Sequence, residues 1–151
     1  MKVQNMPSLR KIQLPILIAL IALIVLPACS APQSQVELKM APMSGMPDSV
    51  QSSPVSVQQA YQFAAANPEI MKQIPCYCGC GSVGHTSNYS CYVTTVDDKG
   101  AITFDKHATG CSICVDITQD VIRMARDGKS PGDIRVAIDN TYSKYGPSNI
   151  P

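Results

Sequence analysis

The stretch Pro75-Cys76-Tyr77-Cys78-Gly79-Cys80-Gly81 places three thiols at alternate positions, with a proline before them and glycines among and after them. Cys91, Cys111 and Cys114 follow, and the two histidines of the chain, His85 and His107, fall within the same segment. A packed core has no use for thiols at this density, whereas soft metals and redox chemistry do, because the thiolate is both metal ligand and nucleophile. Together these residues offer eight donors: Cys76, Cys78, Cys80, His85, Cys91, His107, Cys111 and Cys114. Four donors saturate a tetrahedral Zn2+ site, so the set can fill two such sites or enclose one thiolate-bridged Cu(I) cluster.

The same residues admit two other chemistries. Cys111-x2-Cys114 at a helix start fits a metal knuckle, and it equally fits a redox dithiol in which Cys111 attacks and Cys114 resolves, the helix N-terminus acidifying the first thiol. Six cysteines also make three disulfide pairs, which an exported domain would favour. The triplet weighs toward metal: a glycine-relaxed loop can wrap alternate thiolates round one or two ions. Disulfide partners, by contrast, need Cα atoms about 4.4–6.8 Å apart with converging Cβ vectors, a demanding geometry for three bonds fanning from one short loop. No Ser-His-Asp set, phosphate loop or paired-carboxylate motif offers a hydrolytic or phosphoryl-transfer reading, and the chain reads more readily as a binding protein than as an enzyme.

The elements that must position these donors are mostly helical. Ser56 is placed to cap a helix over Val57 to Ala66, and Asn67-Pro68-Glu69 restarts a short one that Pro75 stops before the triplet. The β-branched run from Cys91 to Val96, the turn Asp97-Asp98-Lys99-Gly100 and the run Ala101 to Phe104 predict a hairpin. Ile113, Ile117, Val121 and Met124 recur at helical spacing up to Gly128. Ser130-Pro131-Gly132-Asp133 then starts a last helix with Ile134, Ala137, Ile138, Thr141, Tyr142 and Tyr145 along one side. The expected fold is a small, mainly α domain with a short β-hairpin, over residues 56–147, stapled by a Cys/His-rich centre, with 148–151 as a tail. A domain of that size with two phenylalanines and no tryptophan needs such a staple.

The N-terminal third reads as delivery. Lys2, Arg10 and Lys11 precede the apolar run Leu14 to Leu26, and Leu26-Pro27-Ala28-Cys29 has the pattern of a bacterial lipoprotein cleavage site. Residues 1–28 are expected to be a signal peptide and Cys29 the lipidated, palmitate-bearing N-terminus. The protein would then lie outside the cytoplasm, held to the outer face of the bacterial cell membrane by its lipid. Residues 29–55, rich in Ser, Pro, Gln and Met, read as a flexible tether. Met40, Met43 and Met46 are spaced as soft ligands, but Pro42 and Pro47 forbid a helical face, and they read as tether residues. Of the 12 Lys and Arg, three fall in the leader; the 9 that remain stand against 11 Asp and Glu, a net charge of −2 that gives no case for nucleic acid. The partners expected are the membrane, through the anchor, and a metal donor or acceptor protein.

The motif Cys76-Tyr77-Cys78-Gly79-Cys80 after Pro75, with His85, Cys91, His107 and the Cys111/Cys114 pair, resembles the bacterial lipoproteins of uncharacterised function named for a PCYCGC motif. The likeness runs from about Tyr61 to Gly146. It implies membership and an exported address, and no activity. A shorter stretch, Gly128 to Gly146, is similar to the helical end of the thiol-reducing subunit of the bacterial cytochrome c maturation apparatus, although the Cys111/Cys114 pair lies closer to Gly128 than in that family.

Overall fold

Order begins well before Ser56. The computed structural model describes residues 37–150, all within the unit Ser34–Pro151. Cys29 and the leader therefore lie outside the described residues. A 3-10 turn at Met43–Gly45 leads into α1 (Asp48–Gln51), which buries Val50 completely, and Met46 is 5% exposed beside it. The described part of the stretch expected to be tether, residues 37–55, is instead tied down by hydrogen bonds. Gln62 and Ala41 exchange bonds (Ala41 N to Gln62 O 3.0 Å, Gln62 Nε2 to Ala41 O 2.8 Å), and Asn67 Nδ2 donates to Lys39 O at 2.8 Å. Such pairing of backbone with distant amides leaves no periodic mark in a sequence. Met46 is a core residue, Met43 half-buried and Met40 exposed, so the three methionines share no face.

Pro54, not Ser56, stands at the N-cap of α2 (Val55–Ala66). Its carbonyl accepts from Val57 N and Gln58 N, and its fixed φ suits the entry to a helix. Val57, Ala60, Tyr61, Phe63 and Ala64 are buried along α2. Asn67 leaves helical geometry (φ −131°, ψ 54°) and Pro68 opens α3 (Pro68–Met71), as the Asn-Pro-Glu signature predicts.

Strands β1 (Val93–Val96) and β2 (Ile102–Phe104) form an antiparallel hairpin, pairing Val93 with Phe104, Thr95 with Thr103 and Val96 with Ile102. The register slips between Val93 and Thr95. In the turn, Asp97 Oδ1 accepts from Lys99 N and Ala101 N at 2.9 and 2.7 Å. Cys91 lies outside the strand, in a 3-10 turn at Tyr89–Cys91.

The amphipathic helix α4 (Ser112–Arg126) is the centre of the packing. It buries Cys114, Val115, Ile117, Thr118, Val121, Ile122 and Ala125, and packs against both α2 and the last helix, α5 (Pro131–Tyr142). Ser130 caps α5, its Oγ accepting from Asp133 N at 3.2 Å. Ile134, Ile138 and Tyr142 turn inward, whereas Thr141, still within α5, and Tyr145, in the 3-10 turn Ser143–Tyr145 that follows, are exposed. Among the described residues no helix is long and apolar enough to cross a membrane. The protein is thus mainly helical, with one two-stranded hairpin and a Cys/His cluster at its centre.

Candidate metal centre

Each donor enters the cluster from a different constraint. After α3 the chain buries Ile74 and Pro75, and the Ile74 carbonyl accepts from Asn88 N at 2.7 Å, which fixes the start of the triplet. Gly79 (φ 83°) reverses the loop in a conformation that L side chains rarely adopt. It leads into the 3-10 turn Cys80–Val83, and the triplet sulfurs end within 4.8 Å of one another. Cys111 sits at the N-cap of α4 and Cys114 in its first turn.

The Cys114 backbone is held from three sides. Its carbonyl accepts from Tyr92 Oη (2.8 Å), Thr118 Oγ1 (3.0 Å) and Asn88 Nδ2 (3.4 Å). Tyr92, Asn88 and Thr118 are themselves buried, and the Tyr61 ring packs edge-on to Tyr92 at 4.9 Å between centroids. The second cysteine of the Cys-x2-Cys pair is therefore fixed by a polar network that no local motif announces.

All six cysteines among the described residues and both histidines come together. Cys76 Sγ lies 3.3 Å from Cys114 Sγ and 3.4 Å from Cys78 Sγ; Cys111 and Cys114 are 3.3 Å apart, Cys78 and Cys114 3.6 Å, and Cys80 and Cys91 3.6 Å. His107 Nε2 is 3.6 Å from Cys78 Sγ. All six are free thiols. Thiolates sharing a tetrahedral ion at bonds of about 2.3 Å stand about 3.8 Å apart, so these spacings suit a common ion. Four groups of donors lie mutually within 4.8 Å: Cys78, His107, Cys111 and Cys114; Cys80, His85 and Cys91; Cys76, Cys78 and Cys80; and Cys76, Cys91 and Cys114. These groups could hold a metal ion.

The thiols divide their protons unevenly. A hydrogen bond with Cys114 lowers Cys76 to about 7, and Cys80 is held far below its ordinary range, first by Cys114 and then by Cys76. Cys114 is pushed far up by its contacts with Cys76, Cys80 and Cys91, and Cys78 is raised by burial. Among the described residues no Lys or Arg donates to a sulfur. Six neighbouring thiolates, four of them buried, would carry a prohibitive desolvation cost without a cation, so full ionisation of the cluster requires bound cations.

Two further residues complete the site, and neither was expected from the motifs. Asp105, just before His107, places Oδ2 3.5 Å from His85 Nε2 and accepts at Oδ1 from His107 N at 2.7 Å. It thereby orients the His85 imidazole directly and fixes the backbone that carries His107; the two rings meet edge to face at 5.0 Å. With Nε2 turned to Asp105, His85 Nδ1 is buried and has no hydrogen-bond partner, the condition of an imidazole aimed at a ligand. A carboxylate two residues before a histidine was the available signal for Asp105. Asn149 gave none. It lies in the stretch expected to be a tail, yet its Oδ1 accepts from Cys76 N at 2.7 Å and its Nδ2 donates to His85 O at 3.2 Å and Cys80 Sγ at 3.5 Å.

No curated protein and no solved structure matches the chain. The profile of one family, described as proteins of unknown function with a PCYCGC motif, matches residues 28–151. With its motif at the heart of the thiol cluster and the match spanning the whole described domain, the chain belongs to the PCYCGC-motif family.

Proposed function

We propose that the protein is a lipid-anchored, extracytoplasmic binding module that holds soft metal ions, Cu(I) or Zn2+, for storage, delivery or structure. The observation that carries this reading is the convergence of all six cysteines and both histidines on one centre. A disulfide framework would use the sulfurs but would leave unexplained why the only two imidazoles lie beside them, one oriented by a carboxylate through Nε2 and unpartnered at Nδ1. The anchor rests on Leu26-Pro27-Ala28-Cys29, and the expected partners are the membrane and a protein that gives or takes the metal.

Purification of the full chain in detergent, followed by native mass measurement, metal analysis and thiol counting on one sample, tests the reading. Bound ions with thiols that react only after denaturation support it. A metal-free chain lighter by three pairs of hydrogens would replace it with a disulfide-stapled interaction domain.

A thiol-disulfide oxidoreductase is the second reading, favoured by one observation. Cys111 is half-buried at the N-terminus of a 15-residue helix, 3.3 Å from buried Cys114. In that case Cys111→Ser would abolish disulfide exchange with a model dithiol while metal content stayed at zero throughout.

A further inference from the structure

The eight donors are not equivalent in their access to solvent, and they separate along that difference. Cys78, His107 and Cys111 are each half-buried, and with buried Cys114 they form a complete group of four within 4.8 Å. Cys111 also lines an open cleft of about 310 Å3, shared with Ser56, Val57, Ala108, Thr109 and Asp116. On the other side Cys80 and Cys91 are buried, and His85, whose side chain is 11% exposed, joins them within 4.8 Å. Cys76, fully buried, lies within 4.8 Å of both Cys80 and Cys91, though it shares no such group with His85, and is the donor placed to fill a fourth position there.

This second group is also covered. Asn149 clasps the backbone of Cys76 through Oδ1 and through its own N–H to Cys76 O (3.2 Å), while Nδ2 reaches Cys80 Sγ and His85 O. Gly146 lets this C-terminal strap, residues 146–150, lie flat, since a Cβ there would stand 2.8 Å from Tyr77 O. An ion in the covered group can leave only after the strap opens, whereas one in the other group can be reached by an incoming thiolate at Cys111.

We propose that the centre holds two ions of different purpose: an inner, structural ion on Cys76, Cys80, His85 and Cys91, and an outer, exchangeable ion on Cys78, His107, Cys111 and Cys114, which is the cargo. Cys76, at 3.3 and 3.4 Å from Cys114 and Cys78, joins the two halves. The cleft at Cys111 is the port through which a partner's soft ligand, a thiolate or thioether, takes the outer ion by stepwise replacement of protein sulfur, with no change of oxidation state. The division rests on the metal-binding reading above.

The test is chelator-driven release of Zn2+ from the full chain, followed by native mass spectrometry. Two ions should bind, one leaving at least about tenfold faster than the other. Cys111→Ala should retain one ion, released slowly, with the fold intact. Asn149→Ala should speed loss of the slow ion by about 10-fold or more, as removal of an outer-shell partner does elsewhere, and leave the fast ion unchanged. Two ions that leave together, or a Cys111→Ala variant that loses both, would overturn the division while leaving metal binding standing. A chain that binds no Zn2+ and no Cu(I) would overturn the metal-binding reading itself.

Discussion

Asp105 carries more of the site than its place between strand and turn suggests. Besides its contacts to His85 and His107, its backbone carbonyl accepts from Tyr61 Oη at 2.7 Å and its N–H donates to Tyr92 O at 2.9 Å. The backbone contacts survive substitution and the carboxylate contacts do not. Asp105→Ala should therefore weaken metal binding by about 10- to 100-fold, measured by chelator competition, with little change in the far-UV circular dichroism spectrum. That these cysteines and histidines share one region was legible from type and spacing, because thiols at that density have few uses. The residues that aim them were not: Asp105, Asn88, Thr118 and Asn149 act through contacts up to 73 residues apart in the chain, and their residue types are ordinary for turns and helix ends.

Among the elements, the triplet loop and α5 are joined by one hydrogen bond. Tyr77 Oη donates to Asp139 Oδ1 at 2.6 Å, and burial together with this carboxylate raises the phenol from 10.0 to about 12. A folded-state value above the unfolded one means that the contribution is fully present below about pH 10 and is lost as pH rises through 12. Tyr77→Phe should cost about 1–2 kcal/mol at neutral pH. Urea midpoints of the two proteins should converge as the solution is made alkaline. The helices were legible where apolar periodicity or a Pro-Asp start marked them, as in α4 and α5. α1 was not, because its single inward residue, Val50, sits between serines and prolines with no repeat to reveal it. Val50→Ala should nonetheless destabilise the fold by about 2–3 kcal/mol, since the side chain is fully buried. A thermal melt would show the loss, and a free tether would not respond.

At the scale of the whole molecule, a domain with two phenylalanines and no tryptophan is one in which a ligated centre would contribute visibly to stability. If thiolate ligation supplies part of the folding free energy, a strong chelator should lower the melting temperature of the full chain, and acid should do likewise as protons displace the ions. Cys78→Ser should reduce metal content and melting temperature together. Melting unaffected by chelator but collapsed by reductant would point to disulfides instead. Cys29→Ala should abolish incorporation of labelled fatty acid and leave that melting behaviour unchanged; continued labelling would reject Cys29 as the lipid attachment point.

The strap at Asn149 also sets an order of events. It clasps a loop 73 residues earlier in the chain, so Cys76, Cys80 and Cys91 are made and left open to their surroundings throughout the interval before Asn149 exists. The strap can close only after the loop it covers has been made. An ion held there, as proposed above, would exchange with its surroundings only as fast as the strap opens, so its identity would lag behind changes in supply that the open side follows at once.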